Sequence, residues 1–178
     1  HFKNKRALLE ALSAQFAEAI EARLKTQPVA GDDIVEAYAD LLGQMMDEFR
    51  SFRFIYRDQA DYGEHSDIVL ANLPGWYART GTQLMSYYRR LVEQGLLAWP
   101  TERLGDLCTN ATIVLRFGLE YQREIGMDMT VGSGSVRNAL FQHLTLFEDQ
   151  LDADAALRLR RAIEAMERNS EHHAHLAE

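Results

Sequence analysis

Apolar side chains recur every three to four residues along most of the chain, and this repeat limits the possible folds more than any other feature. From residue 5 to about residue 25, Leu8, Leu9, Leu12, Phe16, Ala19, Ile20 and Leu24 keep the spacing, which is the period of an amphipathic helix and not the alternation of a strand. Asn4 stands where a side chain can cap that helix by accepting a backbone N–H. Three prolines and eleven glycines stand mostly singly between the periodic runs, as punctuation between helices and not as the frequent turns of a β protein. The expectation is an all-α domain of about seven helices, with 178 residues enough for one substantial core.

In chain order, Pro28 breaks the first helix. Asp32 or Asp33 opens a second, with Ile34, Tyr38, Leu41, Met45, Phe49 and Phe52 as its apolar stripe and Gly43 as a weak point. Residues 50–63 concentrate aromatics: Phe52, Phe54, Tyr56 and Tyr62, interleaved with Arg53, Arg57 and Asp58. A short helical piece over 66–73 precedes Pro74, which suits the first turn of a helix running to residue 94. Trp76, Tyr77, Thr80, Leu84, Tyr87, Tyr88 and Leu91 lie on that helix, and Gly95 ends it. The next helix spans 101–125, with Gly126 after it. A connection over 131–135 holds Gly132 and Gly134 without a phosphate-loop pattern. Val136, Leu140, Leu144, Phe147 and Leu151 predict one helix over 135–151, followed by a last helix over 154–168 and a frayed tail over 170–178.

The chain carries 19 basic and 27 acidic side chains. Lys3, Lys5 and Arg6 crowd the first six residues, so the rest is acidic enough to repel nucleic acid. One cysteine, Cys108, excludes a disulfide framework within the chain and suits a reducing cytoplasm. No apolar run reaches the roughly twenty residues of a membrane helix. A di-iron bundle would need Glu-x-x-His pairs, and none is present. Cys108 lies on an apolar stripe with Leu104, Leu107 and Ala111, where a small buried hydrophobe is expected and not a nucleophile. His143 reads as a packed, hydrogen-bonded histidine. The expectation is therefore no enzyme, no metal and no cofactor. Arg116 interrupts the run Thr112, Ile113, Val114, Leu115, Phe117, and must pair with an acid, snorkel or meet an anionic ligand.

His1, Phe2, Asn4 and Lys5, followed by Leu8 and Leu9, resemble the exit of the helix-turn-helix in TetR-family transcriptional regulators. The run Phe52, Arg53, Phe54, Ile55, Tyr56, Arg57, Asp58 resembles the segment after the second effector-domain helix of one subgroup. The helix ending in Leu91, Val92, Glu93, Gln94, Gly95, Leu96 and Leu97, and the long helix through Tyr121, complete the likeness in order. The resemblance implies that residues 1–4 are the remnant of a DNA-reading head lying mostly upstream, with His1, Lys3 and Lys5 against the DNA backbone. Residues 5–169 would be the effector-binding and dimerisation domain.

The family likeness further implies a homodimeric regulator, usually a repressor, in which a small molecule alters the separation of two heads on operator DNA. The two copies would meet through a four-helix bundle of helices 101–125 and 135–151, with Val114, Phe117, Tyr121, Val136, Leu140, His143, Leu144 and Phe147 at the interface. Tyr38, Met45, Phe49, Phe52, Trp76, Thr80, Tyr87, Cys108 and Arg116 are the expected pocket, suited to a small apolar or aromatic effector with or without negative charge. A competing reading is a helical homodimeric interaction module whose aromatics are all core.

Overall fold

The computed structural model describes residues 2–25, 27–29, 31–52, 67, 73–130 and 133–174. Its first helix, α1 (Lys5–Leu24), is capped by Asn4, whose Oδ1 accepts from the Ala7 N–H at 2.8 Å. Leu9, Ser13, Phe16 and Ile20 form the buried face, and they pack α1 against α2 (Ile34–Ser51) and α3 (Leu73–Glu93). Leu8, expected in that stripe, is exposed.

Of the two aspartates before α2, Asp33 is the cap. Its side chain accepts from the N–H groups of Val35 and Glu36 at 3.0 and 3.3 Å, while Asp32 accepts from the Val29 N–H in the turn before. Arg158 hydrogen-bonds Asp33 from the last helix, and this pairing holds the carboxyl below the usual carboxylate range. Ile34, Tyr38, Leu41, Leu42, Met45, Met46 and Phe49 are all buried on α2. That breadth follows from its central place, since α1, α3, α4 (Leu104–Glu124) and α6 (Ala153–Ala174) all pack on it.

Helix α3 carries Pro74 in its first turn, where a missing N–H costs nothing. It ends at Gly95, whose φ of 71° lets the N–H groups of Leu96 and Leu97 turn back to the Leu91 carbonyl at 2.9 and 3.1 Å. A 3-10 turn, Thr101–Arg103, leads into α4. Helix α5 (Ser135–Leu144) lies against α4, and the two backbones approach closely where a Cβ on Gly118 would stand 3.0 Å from that of Ala139.

The single helix expected over 135–151 is instead two pieces. Helix α5 stops at Leu144, and a 3-10 turn, Glu148–Gln150, precedes α6. The cause is a long-range pairing. The Ala98 N–H donates to the Gln150 carbonyl and the Asp152 N–H to the Leu96 carbonyl, both at 2.8 Å, which requires extended backbone at Leu151, opposite Leu97. The last helix continues to Ala174, past the point at 170 where fraying is expected.

The described residues thus hold six α-helices and no strand, and the all-α expectation is met. The expected seventh piece, over 66–73, and the aromatics Phe54, Tyr56 and Tyr62 lie outside the described residues, apart from Asp67 and Leu73.

Candidate functional site

Most of the side chains expected to line a pocket are packed in the core. Tyr38, Met45, Phe49, Trp76, Thr80, Tyr87, Cys108 and Arg116 are each at most 4% exposed, and Phe52 is half-buried against Phe16, with ring centroids 5.3 Å apart. Only Cys108 of this set lines a described cavity. Arg116 donates through Nε to the Tyr77 hydroxyl at 3.1 Å, and its guanidinium lies over the rings of Phe117 and Trp76. The Trp76 indole N–H and the Thr80 hydroxyl, one helical turn apart, have no hydrogen-bond partner among the described residues.

The expected interface divides in two. Val136, Leu140, His143, Leu144 and Phe147 are buried within a single chain, so they offer no surface to a second copy. Their periodicity marked a buried face correctly, but it is the face α5 turns toward its own core. His143 sits at the centre of an aromatic cluster with Tyr38, Tyr88 and Phe147. Its Nε2 lies 2.7 Å from the Tyr38 hydroxyl, which donates to Tyr88 at 2.8 Å. Since a hydroxyl has one proton, the consistent neutral tautomer donates from Nε2 to the Tyr38 oxygen. Burial without a nearby carboxylate pushes the imidazole pKa down to about 3. The packed, hydrogen-bonded histidine read from the sequence is what the structure holds.

Phe117 and Tyr121, by contrast, are 50% and 59% exposed, and Ile113 and Ile125 extend the same row. Four large apolar side chains at steps of four residues form one continuous stripe on α4. Val114 lies beside it, half-buried.

Between α3 and α4 runs an open groove of about 660 Å³. Its walls are two antiparallel rows, since Tyr77 reaches Arg116 near one end and Arg89 acts on Cys108 near the other. The sequence reading missed most of this lining, Met85, Thr109 and Thr112 included. A signal was present: Tyr77, Gly81, Met85 and Arg89 follow one another at steps of four, a second row beside the buried one. Burial pushes the Cys108 thiol up to about 11, so it stays protonated at neutral pH.

Of the residues expected against DNA, Lys3 and Lys5 are exposed in front of and at the start of α1, and His1 lies outside the described residues. Among the described residues no group of three or more His, Cys, Asp or Glu side chains could hold a metal. No helix among them is long and apolar enough to cross a membrane.

The described residues thus form an all-helical domain with a long capped lead helix, a groove between two long helices and an exposed apolar stripe. The comparisons make this specific. The TetR model, described as a bacterial transcriptional repressor, matches residues 15–157. A crystal structure of a TetR-family transcriptional regulator from Marinobacter aquaeolei VT8 is similar in fold, with a TM-score of 0.76 at 16% identity over 93% of this chain and 79% of that one. No curated protein sequence matches. The chain belongs to the TetR family of transcriptional regulators.

Proposed function

We propose that this chain is the effector-binding and dimerisation part of a ligand-responsive homodimeric repressor that reads operator DNA in the cytoplasm through a helix-turn-helix preceding α1. The observation that carries the dimer is the stripe Ile113, Phe117, Tyr121 and Ile125, each at least half exposed on one face of α4. Apolar area in one contiguous row is what a two-fold interface buries, because each residue meets its own symmetry mate or neighbour. On α5, Gln142 is exposed and so free to join such an interface, unlike its buried neighbours His143 and Leu144.

Lys3 and Lys5 support the DNA end of the reading, exposed at a helix N-terminus where backbone N–H groups also favour a phosphate. The response to ligand runs through α1. The loop that follows its C-terminal end is tied to α3 by Gln27, which donates to Gln83 at 2.7 Å, and by Arg90, which donates to the Pro28 carbonyl. Helix α3 is also a wall of the groove, so a ligand preferring one placement of α3 biases α1 by that difference in affinity.

The test is binding of the natural full-length protein to DNA fragments from around its own gene, against unrelated DNA at fixed salt. Selective binding by a dimer supports the reading. Equal binding to all fragments refutes it and favours a helical interaction module.

A further inference from the structure

We propose that the α3–α4 groove takes an elongated apolar molecule bearing a carboxylate at one end, with Arg89 as the residue that holds the charge. This rests on the ligand-responsive reading above and, of the pocket residues expected from the sequence, keeps only Cys108 beside the ligand.

The groove is long. Tyr77 and Arg89 mark its ends on α3, and twelve residues of helix rise roughly 18 Å. Its middle is apolar, from Met85, with Ile113 and Phe117 shared between the groove and the α4 stripe, so a ligand and a second copy would both border on these two side chains. Gly81 and Gly105 open the groove, since a Cβ on either would meet nothing within 4 Å.

Hydrogen-bonding capacity along the walls is one-sided. The Thr82, Thr109 and Thr112 hydroxyls each donate to a carbonyl of their own helix, at 3.0, 3.0 and 2.8 Å. Their protons are therefore spent. The Tyr77 oxygen accepts from Arg116 and keeps its own proton to give. At the opposite end, Arg89 is the one charged side chain among the described lining residues, in a chain with 27 acidic side chains. Asp106, next to Gly105, is paired with Arg103 at 3.5 Å. The donors left over are thus a guanidinium at one end and a phenol at the other. An exposed guanidinium at the end of an apolar groove whose described lining holds no carboxylate favours an anion, and its planar fork suits a carboxylate.

The experiment is calorimetric titration of the protein with decanoate, decan-1-ol and decyltrimethylammonium, each below its aggregation concentration and at constant salt. Decanoate should bind at least about tenfold more tightly than the alcohol, the gain expected of one charge-assisted contact, and the cation most weakly. Arg89→Gln should bring decanoate down to the alcohol's affinity and leave the alcohol unchanged. Gly81→Leu should abolish binding of both while circular dichroism and the melting temperature show the fold retained. The proposal is overturned if no probe binds, if acid and cation bind alike, or if Gly81→Leu binds as the parent does. It is also overturned if affinity falls as self-association rises, since a second copy then occupies the groove. Flat titrations beside selective DNA binding refute the groove alone; saturable decanoate binding without DNA selectivity refutes the regulator reading and leaves the groove standing.

Discussion

Acidification from pH 7 to pH 5 should cost the folded protein about 2 kcal/mol through His143 alone. In the unfolded chain an imidazole takes up its proton at a pKa of about 6.5, whereas in the fold the value is pushed down to about 3. Below 6.5 the unfolded state therefore binds more protons than the folded one, and stability falls with pH until the folded value is reached. The slope approaches about 1.4 kcal/mol per unit, and integration from 7 to 5 gives the figure above. A folded pKa one unit higher would hardly alter it, because pH 5 would still lie above that value. Asp33 and Asp128 have lowered pKa values, but their contributions are full above the unfolded carboxylate range and fade only below about pH 4. The control is His143→Gln, which keeps a hydrogen-bonding side chain near Tyr38 and cannot titrate. The assay is urea unfolding at both pH values, followed by tryptophan fluorescence at matched ionic strength and one protein concentration. The remaining histidines are common to both proteins and cancel. The variant will be less stable at pH 7, yet should lose about 2 kcal/mol less than the parent on acidification. A difference below about 0.5 kcal/mol would mean that His143 titrates as in water and that the Tyr38, Tyr88, His143 cluster is not dry.

Two glycines should respond with opposite signs. Gly43→Ala should raise stability by about 1 kcal/mol through helix propensity, because the new Cβ would meet only the flexible Met166 side chain, with Sδ at 3.4 Å. Gly118→Ala should lower it by about 1 kcal/mol or more despite the same propensity gain, since the Cβ would stand 3.0 Å from that of Ala139 and force α4 from α5; chemical denaturation of both variants checks the pair. Tyr121→Glu, on the exposed stripe and outside the groove, should weaken self-association by about a hundredfold or more, counting two symmetry-related side chains at about 1.5 kcal/mol each. Sedimentation equilibrium reads this, and an unchanged dimer constant would remove α4 from the interface.

What the sequence discloses here is which side chains are buried, far better than against what. The run Val136, Leu140, Leu144, Phe147 announces a buried face, and all four are buried. Nothing in that run says whether the covering surface belongs to the same chain or to a second copy. The same ambiguity bears on the expected pocket: aromatics such as Tyr38 and Tyr87 are buried, and apolar spacing does not tell a core aromatic from one that lines a ligand site. The broken helix at 144–151 had no local signal either. Neither Gly nor Pro stands there, and the break follows from pairing with residues 96–98, some fifty positions earlier. Caps were legible because their chemistry is local. Asn4, Gly95 and Gly126 act within one turn of themselves, and only the choice between Asp32 and Asp33 required coordinates.

Helix α3 is where the separate observations converge. One row, with Leu84, Tyr87, Tyr88 and Leu91, is fixed in the core. A second, with Tyr77, Gly81, Met85 and Arg89, faces the groove, and Gln83 and Arg90 hold the loop that follows α1. The first row makes α3 stiff. A rigid helix resists local bending, so on the proposed function an occupied groove would tilt or slide it as a body. The ties to the loop after α1 are a neutral side-chain hydrogen bond and one charged donor on a carbonyl, worth about 1 and 2 kcal/mol. Those values set the scale of coupling. A ligand whose preference between two placements of α3 is smaller than that sum would leave both ties intact and carry α1 along with α3, whereas a stronger one would break them and release it.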